Sequence, residues 1–435
     1  MTQPPSSQTD IVHIEGLAHD GRGVARRAGK TVFVGGALPG EEVAIRTLRV
    51  RDRHDEALLT SIIRPSPERV TPSCQHAGAC GGCALQHLAP SAQLAAHRQR
   101  LSDVLTRIGK VSPKRWLEPV ESTAWHYRSR ARLAVTRDPG SKAVQIGFRR
   151  EDSTIIESIA QCPVLVPELA SLPGALREVL QTLSGASLPQ EIWLSAGDDG
   201  IGMGFCSQKA LPAHDRERLA DFARSLGAVY GFGVQGTSQS PRWESPAPQL
   251  HYSPEPGLSL GFAPWDFTQA NREVNARLVE RVIELLAPTP ADAVLDLFSG
   301  IGNFSLPLAR RTARVLGVEG SVQQVATAKE NAIANGIANC DFRVADLFSA
   351  EGVNGFRRND HRLAVLDPPR AGAALLCDRM ASLGVKRLVY VSCDAATLAR
   401  DAQRLCSTGF KLHAAGVLHM FPHTAHAESL ALFAR

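Results

Sequence analysis

With 435 residues, 44% of them apolar and 21% charged, the chain is long enough for about three domains, and its composition excludes a fibrous or largely disordered protein. No run approaches the ~20 apolar residues of a membrane helix, and a net charge of +5 permits an anionic partner without demanding one. The opening MTQPPSSQTD lacks the charged and apolar blocks of a signal peptide, so a short disordered tail and a cytoplasmic protein are expected, with nine cysteines that stay reduced or hold metal.

From Ile11 to about Arg64 the runs IVHIEGL, KTVFVGG, EEVAIRTL and EALLTSII are separated by HDGRG and ALPGEE, a spacing that predicts a small antiparallel barrel. The proline-rich RPSPERVTPSC then marks a boundary. In CQHAGACGGCALQH, Cys74, Cys80 and Cys83 form C-x5-C-x2-C, and three thiols this close in a reducing compartment point to a metal. Cys162, followed by proline in IAQCPVLVP, is the best candidate for a fourth ligand. Four thiolates suit zinc, as would three with His76 or His87, and they equally suit an iron-sulfur cluster.

A helical stretch is expected near residues 90 to 109. In WHYRSRARLAVTR a two-residue period puts Arg128, Arg130 and Arg132 on one face and Trp125, Tyr127 and Leu133 on the other. Residues 65 to 160 carry 14 Lys and Arg against 8 Asp and Glu. That excess makes the arginine face a candidate nucleic-acid surface, with a solvated charged face as the plainer reading. The region up to about residue 265 mixes strand and helix signals without recognisable chemistry and reads as scaffold and substrate surface. After WDFTQANREVNARLVERVIELLAP, whose second half is an amphipathic helix, strands and helices alternate, which implies a parallel sheet with helices on its faces.

In that half, AVLDLFSGIGNFSLPLARR reads as strand, glycine turn and helix. Gly300 and Gly302 let backbone pass close to a ligand at the carboxyl end of the first strand. Glu319 ends the next strand, Asp346 follows a third, and Asp367 in LAVLDPPRAG ends a fourth. Acids at successive strand ends face one crevice, so an adenosine-type cofactor is expected there. Then KRLVYVSCDAATLARD places a thiol, Cys393, where an apolar strand stops and a helix begins. His423 and His426, in HMFPHTAHAES, lie three apart in a non-helical stretch and read as structural or RNA-contacting residues rather than a metal pair. Cys206, Cys340, Cys377 and Cys406 have no ligand spacing and read as core.

FTQAN, DLFSGIGNFSLPLA, LDPPRAG, YVSCD with TLARD, and HMFPHTAHAES, in this order, resemble the S-adenosylmethionine-dependent RNA uracil-C5 methyltransferases. The resemblance implies an α/β fold with a C-terminal Rossmann-like methyltransferase domain, Cys393 as the nucleophile that adds to uracil C6, and Glu428 as the base that removes the C5 proton. It maps cofactor contacts onto Gln269, Phe298, Asn303, Glu319, Asp346 and Asp367. The family commonly has Asn-Pro after the cysteine, where this chain has Asp394 and Ala395.

The family's larger bacterial ribosomal members join a TRAM-like (OB-like) barrel, a cluster and the methyltransferase. This chain resembles them nearly throughout, though only loosely over residues 170 to 260. That implies a [4Fe-4S] cluster on Cys74, Cys80, Cys83 and Cys162, 23S rRNA as partner, and a monomer. The domains expected are a TRAM-like barrel over 1–66, an α+β central domain with cluster and RNA surface over 67–266, and the methyltransferase over 267–435. Another 23S rRNA uridine, or transfer RNA, is the alternative substrate. An amino-group methyltransferase would place an aromatic residue after the two prolines, where Arg370 stands. A radical enzyme on the cysteine trio would normally need three residues, not five, between the first two thiols. A non-catalytic RNA-binding factor that keeps the fold would transfer no methyl to RNA.

Overall fold

The structure, a computed structural model, describes residues 9–151, 153–184, 188–235, 241–244, 249–356 and 360–435. Residues 1–8 of the expected tail lie outside these, whereas Thr9 and Asp10 already belong to a strand. The chain divides into two compact units. One comprises Met1–Arg100, Arg149–Glu157 and Pro422–His426, the other Leu101–Phe148, Ser158–Phe421 and Ala427–Arg435. No helix among the described residues is long and apolar enough to cross a membrane.

In the first unit β1 (Thr9–Leu17), β2 (Gly23–Arg27), β3 (Lys30–Val34), β4 (Glu42–Val50) and β5 (His54–Arg64) close a barrel in the order β1-β2-β3-β5-β4. Alternation drives it: Val12 and Ile14 of β1 enter a core with Val32, Val34, Val43 and Ile45, while Ile11 and His13 face outward. The barrel is not wholly antiparallel. β5 runs antiparallel to β4 and then lies parallel to β3, which closes the cylinder. From Ser73 to Cys83 the chain folds as successive turns. Farther on, Gln93, fully buried, donates to the carbonyls of Leu85 and Leu88 at 3.0 and 2.7 Å and accepts from the His423 N–H at 2.7 Å. The backbone of His423, at φ 68°, is thereby held in place.

The second unit holds a short edge strand, β6 (Arg115–Trp116), and then a seven-stranded sheet. Its strands are β7 (Arg130–Arg137), β8 (Val144–Arg149), β9 (Ile156–Ser158), β10 (Glu191–Ala196), β11 (Ile201–Ser207), β12 (Val229–Gln235) and β13 (Pro241–Trp243). They are ordered β13-β12-β11-β10-β7-β8-β9, and the turn between β8 and β9 belongs to the first unit. A hairpin of β14 (Leu250–Tyr252) and β15 (Leu260–Phe262) leads to the helix Arg272–Leu286.

Seven more strands follow: β16 (Ala293–Leu297), β17 (Arg314–Glu319), β18 (Cys340–Val344), β19 (Leu363–Leu366), β20 (Arg387–Ser392), β21 (Lys411–Leu418) and β22 (Glu428–Ala434). With β6 they form a sheet in the order β18-β17-β16-β19-β20-β22-β21-β6. β16 to β20 are parallel, as the alternation with helices predicts, and β22 inserts antiparallel between β20 and β21. Near-continuous apolar runs such as LAVL and LVYV are what a strand covered on both faces requires. Val294, Val315, Val365 and Val389 pack with Leu278 and Val282 of the Arg272–Leu286 helix.

Candidate active site

Every predicted methyl-transfer residue falls at the carboxyl edge of β16–β20 or on segments bordering it in the same unit. Just past β16, Phe298 has a φ of +66° that turns the chain sharply, and Gly300 and Gly302 follow at +54° and +100°. A side chain at Gly302 would be strained by that φ and would crowd Leu306 and Phe342, so glycine is dictated by geometry. Glu319, at the end of β17, accepts from Gly300 N–H at 3.2 Å and Ser321 N–H at 2.9 Å, so its carboxylate is already oriented by the glycine loop. The Asn303 amide exchanges two bonds with Asn275 at 2.9 and 3.0 Å and accepts from the Tyr252 hydroxyl at 3.0 Å. Sequence alone missed Asn275 and Tyr252, which stiffen the loop; their partner is distant in the chain. Asp346, exposed beyond β18, accepts from Phe348 N–H at 2.9 Å.

Gln269 is half-buried in a segment fastened on both sides: Ser129 donates to the Ala270 carbonyl and Arg130 to that of Thr268. Asn271 caps the following helix by accepting from Val274 N–H at 3.1 Å. Arg130 therefore spends one guanidinium nitrogen on holding this segment. It is half-buried, and burial with Arg128 nearby lowers its pKa to about 10, leaving it charged near neutrality. Arg132 is gripped bidentately by Glu191 at 2.6 and 2.7 Å. Arg130 is thus partly engaged by a backbone carbonyl, whereas Arg132 stays exposed in its ion pair with Glu191.

Cys393 stands half-buried just past β20, and Asp394 starts the next helix by accepting from Thr397 N–H at 2.8 Å. Asp caps as well as Asn does, at about 1 kcal/mol, so the departure from the family pair keeps the helix start. Ser392 of β20 pairs with Ser429 of β22. One further step in that antiparallel register sets Glu428 across from Cys393, where opposed residues come within roughly 5 Å at Cβ. Glu428 is 3% exposed. Burial, then the nearby Asp367, push its carboxyl well above the usual range. Asp367 itself is pushed up to about 7 by burial and by Asp296, which burial likewise raises to about 7. The Cys393 thiol is driven to about 11 by burial and then by Glu428 and Asp367, against an opposing pull from Arg370. The site thus crowds carboxyls around a thiol so that each disfavours ionisation of the others, an environment in which a cationic ligand would favour their charged forms.

Cys74, Cys80 and Cys83 are half-buried in the turns of the first unit, where Gly82 N–H donates to Cys80 Sγ at 3.4 Å. His76 is engaged at both ring nitrogens, by Glu157 at 3.0 Å and Gln75 at 3.3 Å, which counts against it as a ligand. Cys162 is buried in the second unit, and its N–H donates to the Ala170 carbonyl. Among the described residues no group of three or more His, Cys, Asp or Glu is gathered closely enough to hold a metal ion. Cys206, Cys340 and Cys377 are buried, as expected of core thiols, and Cys406 is half-buried.

Residues 262–435 match the family model described as tRNA (Uracil-5-)-methyltransferase, and residues 8–54 match that of the TRAM domain. A protein of Nitrosococcus oceani named 23S rRNA (uracil(1939)-C(5))-methyltransferase RlmD is 43% identical, across 99% of this chain and 97% of its own. A protein of the same name from Alkalilimnicola ehrlichii is 42% identical, across 98% and 96%. The crystal structure of Pyrococcus abyssi tRNA (uracil-54, C5)-methyltransferase in complex with S-adenosyl-L-homocysteine superposes with a TM-score of 0.74 at 25% identity, covering 98% of this chain and all of that one.

Proposed function

Because this chain belongs to the RNA (uracil-C5)-methyltransferase family, in the RlmD branch of enzymes acting on 23S rRNA, we propose that it methylates C5 of the uridine equivalent to 1939 in its relatives' names. The observation that carries this reading is the β20–β22 register, whose last pair, Ser392 with Ser429, leads directly into Cys393 on one side and the buried Glu428 on the other. The transfer RNA alternative rests on a structure at 25% identity, against 42–43% for the ribosomal enzymes. Three fold regions serve the reaction: the barrel (1–66) and central region (67–266) engage RNA, and 267–435 carries the chemistry.

S-adenosylmethionine, when bound, supplies a methyl on a cationic sulfur and leaves as a neutral thioether. The residues at this edge fit such a group: Glu319 would hold the ribose diol, and Asp346, Phe298, Asn303, Gln269 and Asp367 would hold the rest of it. Cys393 Sγ, as thiolate, forms a bond to C6 of the uracil, and the C5–C6 electron pair moves so that C5 can attack the methyl carbon. Glu428 then takes the original proton from C5. That proton's electron pair restores the C5–C6 double bond and expels Sγ from C6. The target uridine must leave any stack to expose C6 to a thiol at the bottom of a crevice.

Incubating the protein with S-adenosylmethionine and a 23S rRNA fragment, followed by nucleoside mass spectrometry, is expected to show 5-methyluridine at one position. Label appearing instead only in transfer RNA would move the assignment to the alternative.

Cys74, Cys80, Cys83 and Cys162 would hold a [4Fe-4S] cluster. Supporting this are four thiols in a three-plus-one pattern and the Gly82 N–H aimed at Cys80 sulfur, a bond that stabilises thiolate ligands. No step of methyl transfer runs through it. Protein purified without oxygen is expected to contain about four irons per chain with broad visible absorption. Cys83→Ser should lose both. Stoichiometric zinc, or no metal under those conditions, would remove the cluster.

A further inference from the structure

The helix Ala395–Ser407 begins immediately behind Cys393, and one face of it grips the loop that follows Asp367. Thr397 Oγ1 donates to the Arg370 carbonyl at 3.0 Å, Arg400 Nη2 donates to the Ala371 carbonyl at 2.8 Å, and Ala373 N–H donates to Asp401 Oδ2 at 2.7 Å. Asp401 is fully buried, and the same Oδ2 accepts from the Tyr390 hydroxyl at 2.6 Å, while Oδ1 accepts from Arg400 Nε at 2.9 Å. Tyr390, also fully buried, lies on β20 three residues before the thiol. Gly372 sits at φ +78°, and any side chain there would collide with Thr397, Arg400 and Asp401. One carboxylate thus ties the nucleophile's strand, the nucleophile's helix and the Asp367–Arg370 loop together.

We propose that Asp401 is a positioning residue for the reaction: it fixes the backbone of residues 370–373 and, through it, the side chains of Asp367 and Arg370 that flank Cys393. This rests on the assignment of Cys393 as nucleophile. A buried carboxylate with three donors is costly to form unless all are satisfied, and a plain structural clamp could have used apolar packing. Its location between the two walls of the thiol pocket gives it a specific consequence. The titratable and charged groups that bear on Cys393 are Glu428, Asp367 and Arg370, and the last two are carried by the clamped loop and its root. Releasing the loop lets the Arg370 charge drift, and Arg370 is the cation that opposes the two carboxyls.

The test compares Asp401→Asn, Tyr390→Phe and Cys393→Ala in full-length protein, using a 5-fluorouracil-substituted 23S rRNA fragment with S-adenosylmethionine. Asp401→Asn offers an NH2 to two donors, so the loop shifts. Trapping of the protein-RNA adduct should slow by about 100-fold, the cost of a displacement near 1 Å at a reacting centre. S-adenosylmethionine affinity by calorimetry should stay within about threefold, because Gln269, Phe298, Asn303, Glu319 and Asp346 lie outside the clamped loop. The pH midpoint for iodoacetamide alkylation of Cys393 should move up.

Tyr390→Phe leaves the Asp401–Ala373 bond in place and should trap within about threefold of the parent rate. Folded Asp401→Asn that traps at the parent rate, or that loses trapping and cofactor binding together with its melting transition, overturns the positioning role. Trapping by Cys393→Ala would instead overturn the assignment of the nucleophile, and this inference with it.

Discussion

Replacing Cys393 by alanine is expected to abolish both methyl transfer to RNA and adduct formation with 5-fluorouracil-substituted RNA. C5 of uracil is a poor nucleophile, and only a bond at C6 gives it enolate character. Removing that bond costs the whole covalent route, a loss of at least about 10⁴-fold in rate, or roughly 5.5 kcal/mol. The surroundings add a pH dependence. With the thiol pushed up to about 11 by burial and then by Glu428 and Asp367, thiolate is scarce in ligand-free protein near neutrality.

Alkylation of Cys393 should therefore be slow at neutrality and accelerate toward pH 11. A sulfonium held beside Asp367 and Cys393 favours the thiolate, so S-adenosylmethionine should lower the midpoint while uncharged S-adenosylhomocysteine leaves it nearly in place. Ligand-free protein whose alkylation levels off below about pH 8 would contradict the crowded-carboxyl picture. Methylation persisting at the parent rate in Cys393→Ala would remove the proposed chemistry altogether.

Glu428→Gln should behave differently, because its role begins after the methyl has moved. The variant is expected to bind RNA, add Cys393 and transfer the methyl, then stall with the C5 proton in place. A methylated protein-RNA complex should accumulate on ordinary uridine RNA and survive denaturing gel electrophoresis, with release slowed by about 10² to 10⁴-fold.

The folded-state pKa of Glu428 lies well above its unfolded value. Relative to an uncharged side chain, its contribution to stability is therefore intact below the ordinary glutamate pKa and is lost as pH rises toward the folded value. Glutamine at this position should then melt higher than the parent at pH 8, with the gap closing on acidification. A variant that turns over normally, or that fails to form any adduct while folded, would show that proton removal belongs to another group.

What could be read from the sequence was what local chemistry dictates. The turn-separated runs from IVHIEGL to EALLTSII announced the barrel, and the acids Glu319 and Asp367 were legible as lying at strand ends. The parallel β3–β5 pair was not legible, since it is decided by how the ribbon closes rather than by either strand. Nor could the arginine period reveal that Arg132 is held by Glu191 or that Arg130 turns to the Thr268 carbonyl, because those partners lie 59 and 138 residues away. Asp394 and Asp401 were both in view within one motif. Helix-cap rules make the first intelligible from spacing alone. The second takes its meaning from Ala373 and Tyr390, which only the folded chain brings to it.

The insertion of β22 between β20 and β21 reaches into folding. β20 and β21 precede β22 in the chain and meet only through it, so their facing edges stay unpaired until β22 threads between them. Until β22 pairs with both neighbours the sheet lacks Glu428 as well as its central antiparallel strand, so the proposed site is completed only when that strand docks.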